Sequence, residues 1–375
     1  MIKFLHAADL HLDSPFSGLS PERAAQRRKE QRALLSELVE LSNAHGCELM
    51  LLAGDLFDSD NAYPDTLEAL ARAFAGCSAQ IVIAPGNHDC AADGSAYKTE
   101  RWPENVHIFT ENQIRAIAFP ELGCRVYGAA FTAPEARDLL AGFTCERDGA
   151  VNLMVLHADA LNAQSPYNFV SKSEIAGSGL DYLALGHIHA ASGLLREGRT
   201  AYAWPGCAMG RGFDELGEKG VYIGSVGDGA CTLEFHPLHG RKYEILSVPA
   251  GEDPLASVTA AKPERRSSAE KAAALPQQTQ DDIYRILLTG EAEPVPLQAL
   301  YRALEERFFS LTLRDETTPK VDLWAAAGED TLRGIFLREL RQQFDAAQTP
   351  EEKQCIADAA RLGLAAMDGR EAPEL

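Results

Sequence analysis

Short apolar runs alternate with longer amphipathic stretches over the first half of the chain. Residues 2–5, 47–53, 80–84, 125–129, 152–156 and 182–185 are rich in Leu, Ile, Val, Met and Ala. Runs this short and continuous read as strands. Residues 20–46 read as a helix: Leu34, Leu38 and Leu41 share one face, with Leu35 and Val39 beside them. Ser20 and Pro21 mark its start and Gly46 its stop. Residues 64–75 form a second helix, closed by Gly76, and a short third is expected over 134–140. Strand–helix–strand alternation predicts parallel pairing, in which every strand delivers its carboxyl end to one sheet edge, where ligands bind. Beyond residue 190 the spacing tightens. Residues 201–204, 220–224 and 231–235 are short strands between glycine-rich turns, expected to be antiparallel and to close the second half of a sandwich.

A different pattern begins near residue 241. A strand at 242–248, strands at 283–288 and 309–313, and a helix at 297–307 predict a small α+β cap. Helices follow at 331–344 and 350–367. Leu332, Ile335, Phe336 and Leu340 make one apolar stripe, which either packs on the cap or docks a partner helix. The expected organisation is an α/β fold, a two-sheet α+β sandwich flanked by helices over residues 1–240. A small capping domain follows over 241–320, then a C-terminal helical segment over 321–375.

The way the apolar runs end changes the picture. FLHAAD stops at Asp9, with His11 two residues on, and LMLLAGD stops at Asp55. IVIAPGNHD ends in Asn87, His88 and Asp89, NLMVLH in His157, and LALGHIH in His187 and His189. Any one histidine is more simply a satisfied structural residue; His6, His45, His107, His236 and His239 are read that way, because none ends an apolar run beside another ligand type. As a set, Asp9, His11, Asp55, Asn87, His157, His187 and His189 offer carboxylate oxygen, amide oxygen and imidazole nitrogen, without thiolate. That mix suits manganese, iron(II) or zinc. Seven ligands are too many for one ion with open positions. Two divalent ions ~3.5–4 Å apart, sharing a carboxylate, fit better and are machinery for hydrolysing phosphate esters. His88, directed away from Asn87, is placed to protonate a leaving oxygen as a general acid, with Asp58 orienting or charge-pairing it.

Composition bounds the rest. Eight cysteines occur without a CxxC pair, which argues against a zinc ribbon or dithiol site and for reduced thiols in a cytosol. No apolar stretch approaches the ~20 residues of a membrane span, and MIKFLHAADLH lacks a signal-peptide pattern; a cytoplasmic location is expected. A net charge of −20 argues against a nucleic-acid coat protein, whose affinity rests on neutralising phosphates, though divalent ions reverse the sign locally. Arg23, Arg27, Arg28, Lys29 and Arg32 on the first helix are either a solvated face or a phosphate-contacting strip. Lys262, Arg265, Arg266 and Lys271 form a second basic cluster.

Asp9-Leu10-His11, Gly54-Asp55 with Asp58, Gly86-Asn87-His88-Asp89, His157 and Gly186-His187-Ile188-His189 come in the order of the calcineurin-like metallophosphoesterases, and residues 1–205 resemble that family. HAADLHLDSPF, GLDYLALGHIH and PGCAMGRGFDELGEKG are similar to its DNA-repair exonuclease branch, the SbcD- and YhaO-type double-strand-break-repair nucleases. The resemblance implies that Asp9, His11 and His189 hold one metal and Asn87, His157 and His187 the other. Asp55 would bridge them, His88 would be the acid, and manganese the preferred ion, with iron, zinc or magnesium as alternatives. It further implies DNA as substrate, a long SMC-like coiled-coil ATPase as partner of the C-terminal helices, and a homodimer. At the position of Asp58, archaeal and eukaryotic relatives usually carry histidine, which leaves the residue assisting His88 open. The expected function is a metal-dependent phosphodiesterase, a DNA exo- or endonuclease subunit. The alternatives are an esterase for a small nucleotide or other phosphoester, and a scaffold for the ATPase.

Overall fold

The computed structural model describes residues 1–59, 62–260, 279–319 and 322–369. Two compact units divide the chain: Met1–Leu246, Pro276–Arg285 and Leu304–Thr312 make the first, and Ser247–Leu275, Ile286–Ala303 and Leu313–Leu375 the second.

In chain order the strands of the first unit's large sheets are β1 (Ile2–Ala7), β2 (Leu49–Leu52), β3 (Gln80–Ile83), β4 (Val106–Ile108), β5 (Arg115–Phe119), β6 (Cys124–Gly128), β7 (Val151–His157), β8 (Tyr182–Gly186), β9 (Leu195–Glu197), β10 (Thr200–Ala203), β11 (Gly220–Gly227) and β12 (Ala230–Pro237). They form two six-stranded sheets, ordered β12-β11-β1-β2-β3-β4 and β5-β6-β7-β8-β10-β9. β1 to β4 are parallel, as are β6, β7, β8 and β10.

The continuous apolar runs are explained by burial on both faces. Along β1, Ile2 and Phe4 join a core with Leu51, Val82, Val126, Val155 and Ala184, drawn from both sheets. Leu5 and Ala7 point the other way, onto Leu35, Leu38, Leu70 and Phe74 of the Pro21–His45 and Pro64–Ala75 helices. On the second sheet, Met154, Leu156, Leu183 and Leu185 face a third cluster with Ile175 of the Lys172–Ser178 helix. The result is two sheets face to face with helices outside. Each fully buried Leu, Ile or Val contributes about 1.5–3 kcal/mol. Both long-helix boundaries follow the sequence: Ser20 caps Arg23 N, and Gly46 takes the left-handed conformation.

Several expectations are corrected. β11 and β12 extend the first sheet rather than closing the second, because β11 pairs antiparallel with β1 from Ile2↔Val226 to His6↔Tyr222; of the three strands expected there, β10 alone joins the second sheet, between β8, to which it is parallel, and β9. Residues 134–140 are not helical: Ala136 bridges to Tyr167, Asn168 Oδ1 takes the Leu139 N–H, and Asp138 has φ 57°. Three residues of the Arg23–Arg32 run are tied within the protein, while Lys29 is exposed. Arg27 is fully buried, donating to Glu30 at 2.7 Å and to Gly210 O at 3.0 Å; Arg28 donates to Pro15 O, and Arg32 lies 3.8 Å from Asp13. The second basic cluster, Lys262 to Lys271, lies outside the described residues.

Strands β13 (Tyr243–Pro249), β14 (Ile283–Thr289), β15 (Glu291–Ala292), β16 (Ser310–Asp315) and β17 (Thr318–Pro319) follow. β14 is the central strand of β13-β14-β16, and β15 pairs with β17. The second unit holds the Leu332–Ala346 and Pro350–Met367 helices, capped by Thr331 and by a Thr349–Glu352 capping box. The predicted stripe divides: Leu337 and Ala360 are buried with Phe336 and Leu340 packed on them, while Leu332 is 74% and Ile335 50% exposed. Among the described residues no helix is long and apolar enough to cross a membrane.

Candidate metal centre

Parallel strands of both sheets end at one edge, and the polar residues that follow them meet there. Asp9 follows β1, Asp55 follows β2, Asn87 follows β3, His157 ends β7, and His187 and His189 follow β8. The turns are sharp: Asp9, His11, Asp55 and His187 have φ of 52°, 43°, 52° and 89°. Such left-handed conformations of non-glycine residues are held only where the surroundings over-determine them. The motif glycines answer to space. A Cβ on Gly86 would lie 2.2 Å from Asp55 Oδ1, and one on Gly186 1.9 Å from Ala53 O.

All seven predicted ligands lie in this cluster. His11 Nε2 is 3.3 Å from His189 Nε2 and 3.7 Å from Asp55 Oδ2. His189 Nε2 is 3.7 Å from Asp9 Oδ1, and His157 Nε2 is 3.4 Å from Asp55 Oδ2. Asn87 Oδ1 lies 3.0 Å from His157 Nε2, and the His187 ring centroid is 5.3 Å from that of His157. Ligand atoms of Asp9, His11 and His189 converge, as do those of Asp9, Asp55 and His157.

The donor set fits cations. Ala53 O can only accept, so His157 carries its proton on Nδ1, which donates to it at 2.9 Å. Its lone pair on Nε2 then faces the oxygens of Asn87 and Asp55. His189 Nδ1 likewise donates to Glu215 Oε1 at 2.7 Å, leaving Nε2 to face His11 and Asp9. Lone pairs pointing at lone pairs are what a cation satisfies. Asp9 and Asp55 are buried together, and burial of adjacent like charges is costly without a counter-charge. Burial, then Asp55, pushes the Asp9 carboxyl well above the usual range. Burial also pushes Asp55 up, but His157 and His11 outweigh it and hold Asp55 low. Burial lowers His11 and His187 to about 4 each, keeping the rings neutral and able to coordinate.

His88 sits exposed at the rim. Its backbone N–H donates to Asp55 Oδ1 at 3.0 Å, and its ring packs edge-on to His11 with centroids 4.8 Å apart. Asp58 stands beside it, with a carboxylate oxygen within 4.8 Å of a His88 ring nitrogen. The Asp58 backbone carbonyl, not its carboxylate, lies 3.3 Å from His88 Nδ1. The carboxylate accepts from Arg211 Nη1 at 2.8 Å and lies 3.1 Å from His11 Nδ1.

Sequence reading missed the residues that orient the ligands. Glu215, buried, accepts from His189 and from Arg211, which also donates to Asp58. Asp89 is buried and accepts from the backbone N–H of Leu56, Phe57 and Gly86, tying the Asp55 and Asn87 loops together. Asp159 lies 3.9 Å from His187 Nε2. The signal for Arg211 and Glu215 was the PGCAMGRGFDELGEKG segment, whose likeness to one branch carried no residue roles. Of the histidines read as structural, His6 sits between Tyr182 OH and Leu185 O, His45 against Leu41 O and His107 against Gln80 Oε1, whereas His236 Nε2 is buried with no hydrogen-bond partner among the described residues and His239 is exposed beside Glu37.

Comparison with known proteins agrees with this geometry. The profile of the family described as calcineurin-like phosphoesterase matches residues 2–191. The uncharacterized metallophosphoesterase YhaO of Bacillus subtilis (strain 168) is 33% identical over 263 residues, 67% of this chain and 64% of its own length. The DNA double-strand break repair protein Mre11 of Aeropyrum pernix is 28% identical over 264 residues, 65% of this chain and 63% of its own. A subunit of the nuclease SbcCD from Rhodobacter capsulatus is 32% identical over 143 residues, 37% of this chain and 29% of its own. The matches thus span less than two thirds of each relative. With a profile covering half of its residues and the family's ligand motifs gathered at one sheet edge, the chain belongs to the calcineurin-like phosphoesterase family.

Proposed function

We propose that the chain is a divalent-metal-dependent phosphodiesterase that cuts DNA, acting as the nuclease component of a DNA-repair complex. One observation carries the reading: buried carboxylates and neutral imidazole lone pairs converge at a sheet edge with an exposed histidine on the rim. Asp9, His11 and His189 would hold one ion and Asn87, His157 and His187 the other, with Asp55 shared, and the oxygen and nitrogen donors suit manganese. Bound there, the pair would supply Lewis acidity to the phosphoryl oxygens and a water acidic enough to attack at neutral pH.

The chain's own residues do the remaining work. Glu215 and Ala53 O hold His189 and His157 in the tautomers that present Nε2. The Asp58 carbonyl orients the His88 ring, which gives its proton to the leaving oxygen. Asp58 and Arg211 neutralise one another beside it.

The relatives named as a DNA double-strand break repair protein and as part of a nuclease support DNA as the substrate. A relative that is one component of a larger nuclease supports a partner. We assign it as a coiled-coil ATPase docking on the helical segment 321–375, where Leu332 and Ile335 are exposed. The net charge of −20 favours a second reading, an esterase for a small nucleotide. Purified chain with manganese, offered an aryl phosphodiester and DNA ends, separates them. The first reading requires cleavage of both. Turnover of the diester with every DNA intact, alone and with the ATPase, selects the second.

A further inference from the structure

A cavity of about 420 Å³ adjoins the ligand cluster, with Asp58 and Arg211 on one side and Phe213, Tyr243, Arg285 and Ser310 among its other walls. Every one of these residues belongs to the first compact unit. Its two arginines differ. Arg211 is satisfied by Asp58 and Glu215. Arg285 lies with its guanidinium carbon 3.9 Å from the Phe213 ring centroid. Its Nε is buried and donates to none of the described residues, and none of their carboxylates forms a salt bridge with it. Phe213 is itself fixed edge-on by Tyr243, with centroids 5.1 Å apart at 87°.

We propose that this cavity takes the phosphate flanking the scissile bond of a nucleic-acid strand, and that Arg285 is the residue that recognises it. The inference rests on the phosphodiesterase reading above and adds the residue that grips the strand's neighbouring phosphate. An arginine held flat on an aromatic face keeps its N–H fork free to grip phosphate. Such a charge with no carboxylate partner among the described residues, in a chain this acidic, selects for an anionic ligand. The position suits the neighbouring phosphate: Phe213 is two residues from Arg211, at most ~7.6 Å between Cα atoms, and Arg211 Nη2 is 3.3 Å from His189 Nδ1. A substrate with a single phosphate has nothing to place there, whereas a strand does. The volume is that of a small-molecule site, which admits one strand rather than a duplex.

The test compares wild type with Arg285→Gln and Arg285→Lys. Affinity for a fluorescent single-stranded oligonucleotide is measured in calcium across a salt series, and turnover of an aryl phosphodiester in manganese. Arg285→Gln should weaken oligonucleotide binding about 5–20-fold and flatten the slope of log K against log salt by about 0.7, the loss of one phosphate contact to a single strand. Arg285→Lys should recover part of both, and diester turnover should stay within about twofold of wild type. Unchanged affinity and slope, no measurable wild-type binding, or an equal loss on the diester overturns the proposal. Wild-type protein that binds through Arg285 but never cuts DNA overturns the nuclease reading alone; DNA cutting without Arg285 dependence of binding overturns the subsite alone.

Discussion

Glu215 holds His189 by a 2.7 Å hydrogen bond to Nδ1, so that Nε2 is turned toward Asp9. Burial pushes the Glu215 carboxyl up, but the hydrogen bonds from His189 and Arg211 outweigh it and keep it well below the usual carboxylate range. It is therefore ionised at neutral pH. Carboxylates that orient a ligand histidine typically matter about 10–100-fold in metal affinity or activity. Glu215→Gln should weaken manganese binding by that order while leaving the circular dichroism spectrum unchanged. Titration calorimetry reads the affinity, and a wild-type value would remove Glu215 from the site's support.

His88 lies exposed at the rim, with its ring against His11 and the Asp58 carbonyl. General acids of this kind contribute about 10²–10⁴-fold. His88→Ala should lower kcat on a diester with a poor leaving group by that order. The loss should shrink for an aryl leaving group that needs no proton, and metal content should be retained. Equal losses on both leaving groups would make His88 something other than the acid.

Gly186 faces the backbone of the neighbouring sheet. An added Cβ would stand 1.9 Å from Ala53 O and 2.9 Å from His157 Nδ1, breaking into the hydrogen bond that sets the His157 tautomer. Gly186→Ala should cost about 1–3 kcal/mol or more from overpacking and reduce metal uptake. Gly177, with nothing within 4 Å of a built Cβ, is the control, and Gly177→Ala should be neutral or mildly stabilising. Urea denaturation of both variants checks the contrast; equal stabilities would refute the close approach.

His6 gives a pH prediction independent of metal. Leu185 O accepts from its Nε2 at 3.1 Å, so Nδ1 takes the Tyr182 hydroxyl proton at 2.8 Å. Burial, opposed by the Leu185 contact, lowers its pKa to about 3. Below about pH 6.5 the unfolded chain binds a proton that the folded chain refuses, so stability falls from there down to about pH 3, by roughly 1.4 kcal/mol per pH unit. His6→Gln should be less stable at pH 7 yet show an acid slope shallower by about one proton. An unchanged slope in urea melts from pH 4.5 to 7 would place the proton uptake elsewhere.

How much was legible in the sequence depends on the range of the interaction. Periodicity and caps are local, so the Pro64–Ala75 and Pro350–Met367 helices match their predicted limits. The strand cores match too, because burial on both faces leaves an uninterrupted apolar run. The short helix expected at 134–140 is absent because the distant partners Tyr167 and Asn168 compete for its backbone.

The same division runs through the site. Residue order was enough to say which side chains could meet, since parallel strands must end at one edge and each run stopped at a ligand type. Which residues orient those ligands was settled by the packing of distant segments. Glu215 and Arg211 come from a loop after β10, and their partners lie 26 and 153 residues away, beyond the reach of any local pattern. Packing likewise made Arg27 a buried tie rather than a phosphate contact. It also set Arg285, unremarkable along β14, against the Phe213 ring with no carboxylate partner among the described residues. Charge partners are set by how the chain packs, and packing is not written in spacing.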